Sequence, residues 1–220
     1  MAECLVIKGL CTMRATRLDP VTGGVDGGPD NYSITESQIS MALTADIEAG
    51  TESNQKNGCG VIQASDAGED IFKRWSPIAL SMAKFEPAFI EILTGAEVAV
   101  DGGGDPVGVI GANELATGFT RPLAALECWT KLFDGDAQSG TRPWGYILLV
   151  ASQWRLGDMN FAEEFTPVLL SGKSRTNASW SNGPYGDTGF DDVVETWAIA
   201  MLENDPPDAT CGYATVAATS

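Results

Sequence analysis

Gln38-Ile39-Ser40-Met41-Ala42-Leu43-Thr44-Ala45-Asp46-Ile47-Glu48 decides the fold class of this chain. Ile39, Met41, Leu43, Ala45 and Ile47 fall on one side of an alternation, and Gln38, Ser40, Ala42, Thr44, Asp46 and Glu48 on the other. A period of two belongs to an extended strand, because successive side chains leave opposite faces of the backbone. The first set predicts a core face and the second a small, polar, acidic face. Tyr32 and Ile34 are out of phase with Ile39, which predicts a bulge or bend between them.

Strand patterns dominate outward from this stretch. Ile78, Leu80 and Met82 alternate with Ala79, Ser81 and Ala83. The segments Leu123 to Phe133, Tyr146 to Leu156, Phe161 to Leu170 and Val193 to Leu202 carry apolar residues on both faces, which predicts two-sided burial and fits an oligomer. Helix signals are short. Pro87 suits a first helical position, Phe89, Ile92 and Leu93 share one face for packing, and Gly95 is placed to end the helix in a left-handed cap. A second short helix is predicted from Asp66, whose side chain can cap while Glu69 reaches back, and it must stop before Pro77. Gly50 to Gly68, Asp101 to Gly118 and Ser171 to Asp192 read as long irregular tracts. The pattern predicts a mainly β fold over 1–220: an antiparallel sandwich or barrel with one short flanking helix and long loops.

Composition narrows the function classes. At 220 residues and 44% hydrophobic content, the chain can bury a full core as one domain. Leu5-Val6-Ile7 sits between Glu3 and Lys8, without the basic start and long apolar middle of a signal peptide, and the longest strongly apolar run, Tyr146 to Ala151, is too short to span a bilayer. The five cysteines, Cys4, Cys11, Cys59, Cys128 and Cys211, contain no CxxC pair and read as reduced thiols. Net charge is −17, from 13 basic and 30 acidic residues. No Lys or Arg occurs from Leu18 to Gln55, from Phe85 to Thr120, or from Thr176 to Ser220, so those tracts offer no basic patch for gripping nucleic acid.

Catalytic chemistry is mostly excluded by residue type. With no histidine, the usual general base and the commonest metal-binding side chain are missing. Gly102-Gly103-Gly104 lacks the Lys of a phosphate-binding loop and reads as a flexible connection. Asp101 with Asp105, and Asp187 with Asp191 and Asp192, could offer oxygen ligands to calcium, but neither stretch has the alternating spacing of a calcium loop. A carboxylate pair performing glycoside hydrolysis needs no histidine, although no pair stands out among so many acids. The tryptophans offer a sugar-stacking platform as another reading: Trp129, Trp144, Trp154 and Trp197 lie in or beside apolar strands, whereas Trp75 and Trp180 are freer. Asn31-Tyr32-Ser33 and Asn177-Ala178-Ser179 match the glycosylation acceptor pattern by chance. No cofactor is implied.

Arg14-Ala15-Thr16-Arg17-Leu18-Asp19-Pro20, running into a glycine-rich turn that ends at Gly28-Pro29, resembles the opening of major tail tube proteins of phages with long non-contractile tails, the siphovirus type. Ile78 to Gly95, a strand entering a short helix that closes on Leu93-Thr94-Gly95, and Trp180-Ser181-Asn182-Gly183-Pro184-Tyr185 resemble that family at matching places, so the likeness spans residues 4 to 202. The resemblance implies a virion protein, assembled in the host cytoplasm, that forms hexameric rings stacked into a tail tube. DNA would pass through without specific binding, and the partners would be further copies of the chain with tape-measure, tail terminator and tail-tip proteins, and no membrane. On this reading Gln38, Ser40, Thr44, Asp46 and Glu48 face the lumen. Residues 51–67, with Glu52, Asn54, Lys56 and Asn57, form a loop between rings, and 203–220 form a C-terminal tail. Other readings are a decoration or baseplate subunit, and, from a different class, a carbohydrate-binding module or glycosidase.

Overall fold

The computed structural model of the chain describes residues 5–26, 30–44, 47–48, 53–57, 59, 62–66, 71–72, 76–111, 117, 119–158, 166–180, 183, 185, 195–210, 212 and 213. These residues are mainly β, with one short helix among them. In chain order the strands are β1 (Val6–Leu18), β2 (Tyr32–Thr35), β3 (Gln38–Leu43), β4 (Ile47–Glu48), β5 (Ser53–Lys56), β6 (Ile62–Asp66), β7 (Ile71–Phe72) and β8 (Ser76–Met82). After helix α1 (Pro87–Thr94) come β9 (Glu97–Val100), β10 (Pro106–Ile110), β11 (Leu123–Asp134), β12 (Ala137–Gln138), β13 (Trp144–Leu156), β14 (Val168–Ser174) and β15 (Ala198–Leu202).

A nine-stranded sheet runs in the order β2-β1-β11-β13-β14-β8-β3, with β12 beside β11 and β15 beside β13. Its pairings are antiparallel. The long strand β13 joins two halves: Trp144 to Leu148 pair with β15, and Ser152 to Leu156 pair with β14 on the same edge. Met13 and Ala15 of β1 and Ala124, Leu126 and Cys128 of β11 share one core with Trp154, Leu170, Ile78, Leu80 and Met82 of the other half. The sheet thus curls over itself into a sandwich-like, barrel-like body. It does not close, although the Gln38 side chain donates from Nε2 to the Leu10 carbonyl at 3.0 Å where β3 approaches β1.

Two-sided burial of β1, β11 and β13 has an internal cause. Their second face carries another cluster, with Leu18, Leu123, Trp129, Tyr146, Leu148 and Val150 covered by Trp180, Tyr185, Val25 and β15 of the same chain. The oligomer expected from that pattern is therefore not needed to explain it.

Helix α1 begins at Pro87, and Gly95 ends it with φ +72, donating its N–H to the Glu91 carbonyl at 2.8 Å. Only glycine enters that left-handed region at little cost. Phe89, Ile92 and Leu93 are fully buried, and so is Ile90, because β9 and β10 contact the helix that also packs on β1, β2 and β13. Replacing Phe89 or Leu93 with Ala is expected to cost roughly 2–5 kcal/mol. Denaturant unfolding midpoints that do not move would contradict this packing.

Several irregular tracts resolve into structure. Glycines 102 to 104 form the turn of the β9–β10 hairpin, not a loose connection. Asp101 organises that turn by accepting the N–H groups of Gly103 and Asp105 at 2.8 and 3.0 Å. Ser171 to Ser174 belong to β14, so that tract starts later than its composition suggested. The strand expected at Phe161 begins at Val168, and residues 159–165 lie outside the described set. Asp66 closes β6, while the remainder of the helix expected there lies outside the described residues before β7.

Between Gly50 and Gly68 the described residues, 53–57, 59 and 62–66, form a β-arm. Pairs of β3 with β8, Ile47 with Phe72, Glu48 with Ile71, and Ser53 to Lys56 with Ile62 to Asp66 nest about one tip in nearly constant register. The described residues between Gln38 and Met82 therefore form nested ladders of one hairpin, the inner one in the body and the outer ones paired, among the described residues, only with themselves.

Candidate functional site

The strongest concentration of polar side chains is buried, on the second face of the sheet. Arg14 of β1 and Glu127 of β11 are direct cross-strand partners. Arg14 donates from Nε and a terminal nitrogen to the two Glu127 oxygens at 2.6 and 2.7 Å. Side-chain exposure is 9% for Arg14 and 0% for Glu127. Tyr146 donates its hydroxyl to Glu127 at 2.7 Å, and Tyr185 lies over the guanidinium, 3.1 Å from its carbon to the ring centroid, with Trp129 at 5.2 Å. The Tyr185 hydroxyl is 3.0 Å from Thr16 Oγ1.

The electrostatics match this geometry. Burial pulls the Arg14 pKa down, but Glu127 outweighs it and the net shift is upward, so the guanidinium stays charged. Burial, and then the Glu127 charge, push Tyr146 well above its ordinary value of 10.0. Tyr185 is also raised, chiefly by burial. Two charge-assisted bonds and one phenol donor occupy the Glu127 carboxylate, which binds the strands together and is not presented to a substrate.

The residues expected to line a lumen divide in the structure. Ser40 and Thr44 are exposed. Gln38 is buried, and this corrects its assignment to an open surface. The cause is a register shift between Gln38 and Ser40 that bulges Ile39 outward, leaving Ile39 52% exposed although alternation placed it in the core. The expected break in phase is present, since β2 ends at Thr35 and β3 begins at Gln38 with the bulge at its start; Met41 and Leu43 pack against the core as expected. Asp46 lies outside the described residues; Glu48 is placed as backbone in β4, and its side chain is not described.

Ser40 and Ala42 share the outer face with Ser81 and Ala79 of β8, Ser171 and Lys173 of β14, and Gln153 and Arg155 of β13. The intervening Trp154, Leu170, Ile78 and Leu80 point into the core. Gly172 makes this layering possible, since a Cβ there would stand 2.7 Å from the Trp154 ring. The outer face is mostly small and polar, interrupted by exposed Leu169 opposite Ser81, and its described charges are basic, not acidic. Of the arm residues, Lys56 and Asn57 are exposed, and Asn57 accepts the Cys59 N–H at 3.0 Å near the tip. Asn54 is in β5 with its side chain undescribed, and Glu52 lies outside the described residues.

Several chemical readings lose support. Among the described residues no group of three acidic or thiol side chains is placed to hold a metal. The Asp101 carboxylate is occupied by backbone donors, which hold its pKa below the ordinary carboxylate value. Asp187, Asp191 and Asp192 lie outside the described residues. Three grooves on the described surface include at most one carboxylate each. Trp180 is buried, contrary to its reading as free; Trp129 and Trp154 are buried too, and Trp75 lies outside the described residues. Trp144 is half-buried and donates to Asp205 at 2.9 Å, leaving Trp197, at 46%, as the exposed tryptophan among those described. Both acceptor-pattern asparagines are buried: Asn31 donates to the Asp26 carbonyl, and Asn177 to those of Gly23 and Val150. Cys11, Cys59 and Cys128 are free thiols, and burial raises the Cys128 pKa strongly.

Comparison with protein-family models and with curated proteins returns no match.

Proposed function

We propose that this chain is a structural virion subunit that polymerises as stacked hexameric rings into the tail tube of a long-tailed phage, the conduit for DNA delivery. The carrying observation is the set of nested ladders between Gln38 and Met82, whose outer members, β4 with β7 and β5 with β6, pair with no other strand among the described residues. A two-stranded ribbon is marginal in water on its own, so it gains most by lying on a neighbouring surface. A neighbouring copy of the chain supplies such a surface, and a head-to-tail contact of this kind repeats without limit along an axis.

Two further features support assembly. Strand β15 pairs with β13 on one edge, and Trp197, Ile199 and Met201 along it are exposed. Among the described residues the other edge of β15 is unpaired, and such an edge beside exposed apolar side chains invites pairing, which ring closure would satisfy. The exposed outer face that includes Ser40 and Ala42 is mostly small and polar, with Leu169 as its one large apolar side chain among the described residues of β8 and β14, which is compatible with a channel wall. Tape-measure, terminator and tail-tip partners follow from the family resemblance, and the virion tail is the corresponding location. A decoration or baseplate subunit would share the sheet but would not form long tubes.

A second reading, carbohydrate binding, rests on exposed Trp197. Sedimentation velocity over a concentration series, beside a glycan panel, separates the classes. Growth of large species without glycan binding supports the tube subunit; a monomer at every concentration that binds sugars supports the other reading.

A further inference from the structure

We propose that residues 203–213 are a displaceable cap on the outer edge of β2, and that the uncapped edge takes β15 of a second copy of this chain. Alternation along the β1–β2 ladder sets which groups the cap covers. Arg17 donates its N–H to the Asn31 carbonyl at 2.7 Å, so in this antiparallel ladder Ser33 and Thr35 also turn their backbone groups toward β1. Ile34 turns its own the other way. Thr210 meets both: its N–H donates to the Ile34 carbonyl at 3.1 Å, and its Oγ1 accepts the Ile34 N–H at 3.1 Å. The Thr210 hydroxyl itself donates to the Gly212 carbonyl at 3.0 Å, which leaves a lone pair for Ile34.

The cover on Ile34 comes from one residue. Upstream, Asp205 accepts the Trp144 indole N–H at 2.9 Å, and Pro206 and Pro207 follow, two residues with no N–H to lend to a ladder. Downstream, Tyr213 packs against the core cluster that holds Met13 and Phe89. Residues 203–209 are exposed or half-buried. Among the described residues β2 forms a ladder with β1 alone, so Thr210 satisfies Ile34 without adding a strand there. Two hydrogen bonds in place of a ladder make a contact that a competing strand can displace.

β15 fits as that competitor. Edge strands are ordinarily guarded by charge or proline, and β2, with four residues, and β15, with five, contain neither. β15 pairs with β13 on one side; among the described residues its other side is unpaired, with Ile199 and Met201 exposed along the strand. The cap also starts directly after Leu202, so one segment leaves the β15 edge and closes the β2 edge. Because the two edges differ, β2 of one copy with β15 of the next is a head-to-tail contact that leaves one edge of each kind free to continue. Its place in tube growth rests on the tail-tube reading, whereas the cap and its occupant do not.

The test uses the full chain. Thr210→Val keeps the shape of the side chain and removes the acceptor, so the Ile34 amide should exchange with deuterium about tenfold faster than in wild type while β11 stays protected. In sedimentation velocity the same variant should associate at about a tenfold lower concentration. Thr210→Ser keeps the hydroxyl and should match wild type in both measurements, which separates the lost bond from a disturbed fold. Ile199→Lys added to Thr210→Val puts a charge on the β15 edge and should return association to the wild-type concentration. Unchanged Ile34 exchange or unchanged association in Thr210→Val overturns the proposal. Association that Ile199→Lys does not reverse, or that persists on dilution, also overturns it, since either marks exposed core and not a strand edge. Tubes growing alike from wild type and Thr210→Val would remove this proposal and keep the tube reading. Reversible association without rings or tubes would keep this proposal and remove that reading.

Discussion

Glu127→Ala is expected to destabilise the folded chain by about 3–5 kcal/mol, the usual cost of removing one partner from a buried ion pair. Arg14 would remain charged beneath Tyr185 with its two acceptors gone, and the Tyr146 hydroxyl would lose its partner as well. Glu127→Gln keeps the shape but not the charge, so it should also be strongly destabilising. The double change Arg14→Met with Glu127→Leu should recover most of the loss, because apolar replacement of both partners removes the desolvation penalty together with the attraction. Denaturant unfolding of the four proteins checks this, and a single variant that unfolds with wild-type stability would contradict the geometry. Tyr146 adds a pH dependence. Its folded-state pKa lies above the ordinary 10.0, so its contribution is complete below that pH and is lost as pH rises through the folded value. Alkaline destabilisation should therefore begin above about pH 10.

Deleting residues 51–67 is expected to leave a folded subunit that cannot elongate tubes. The cut removes β5 and β6, which among the described residues pair only with each other, and keeps the Ile47 to Phe72 and Glu48 to Ile71 pairs to close a shorter hairpin. No described core residue is removed, so the unfolding midpoint should barely move. If the arm supplies the contact between rings, every axial contact in the assembly is lost at once, and particles should stop at isolated rings or monomers. Tubes of normal length from the deletion variant would remove the arm from the assembly reading.

The fold class was legible because alternation survives wherever a strand is regular. Ile78, Leu80 and Met82 are buried, and Ala79 between them is exposed. Legibility failed where the backbone breaks phase. One bulge at Ile39 moves Gln38 inward, and two register shifts between Lys8 and Thr12 hide the period of β1, the longest partner of β11. Polar composition also misled: the ladder of Ser53 to Lys56 is a strand made by pairing, without an apolar face to announce it. The Arg14 and Glu127 pair lies 113 residues apart in sequence, and only strand register brings the two together. The same holds for the cations of the outer face, since Arg155 and Lys173 come from different strands and the local sequence gives no sign that they meet.

Negative-stain electron microscopy of the purified full-length chain, imaged over a range of concentrations, tests the tube assignment most directly. Annular particles with six-fold symmetry, and tubes built from their repeat along one axis, are the result predicted here. A field of uniform monomers at every concentration, with neither rings nor tubes, would contradict it.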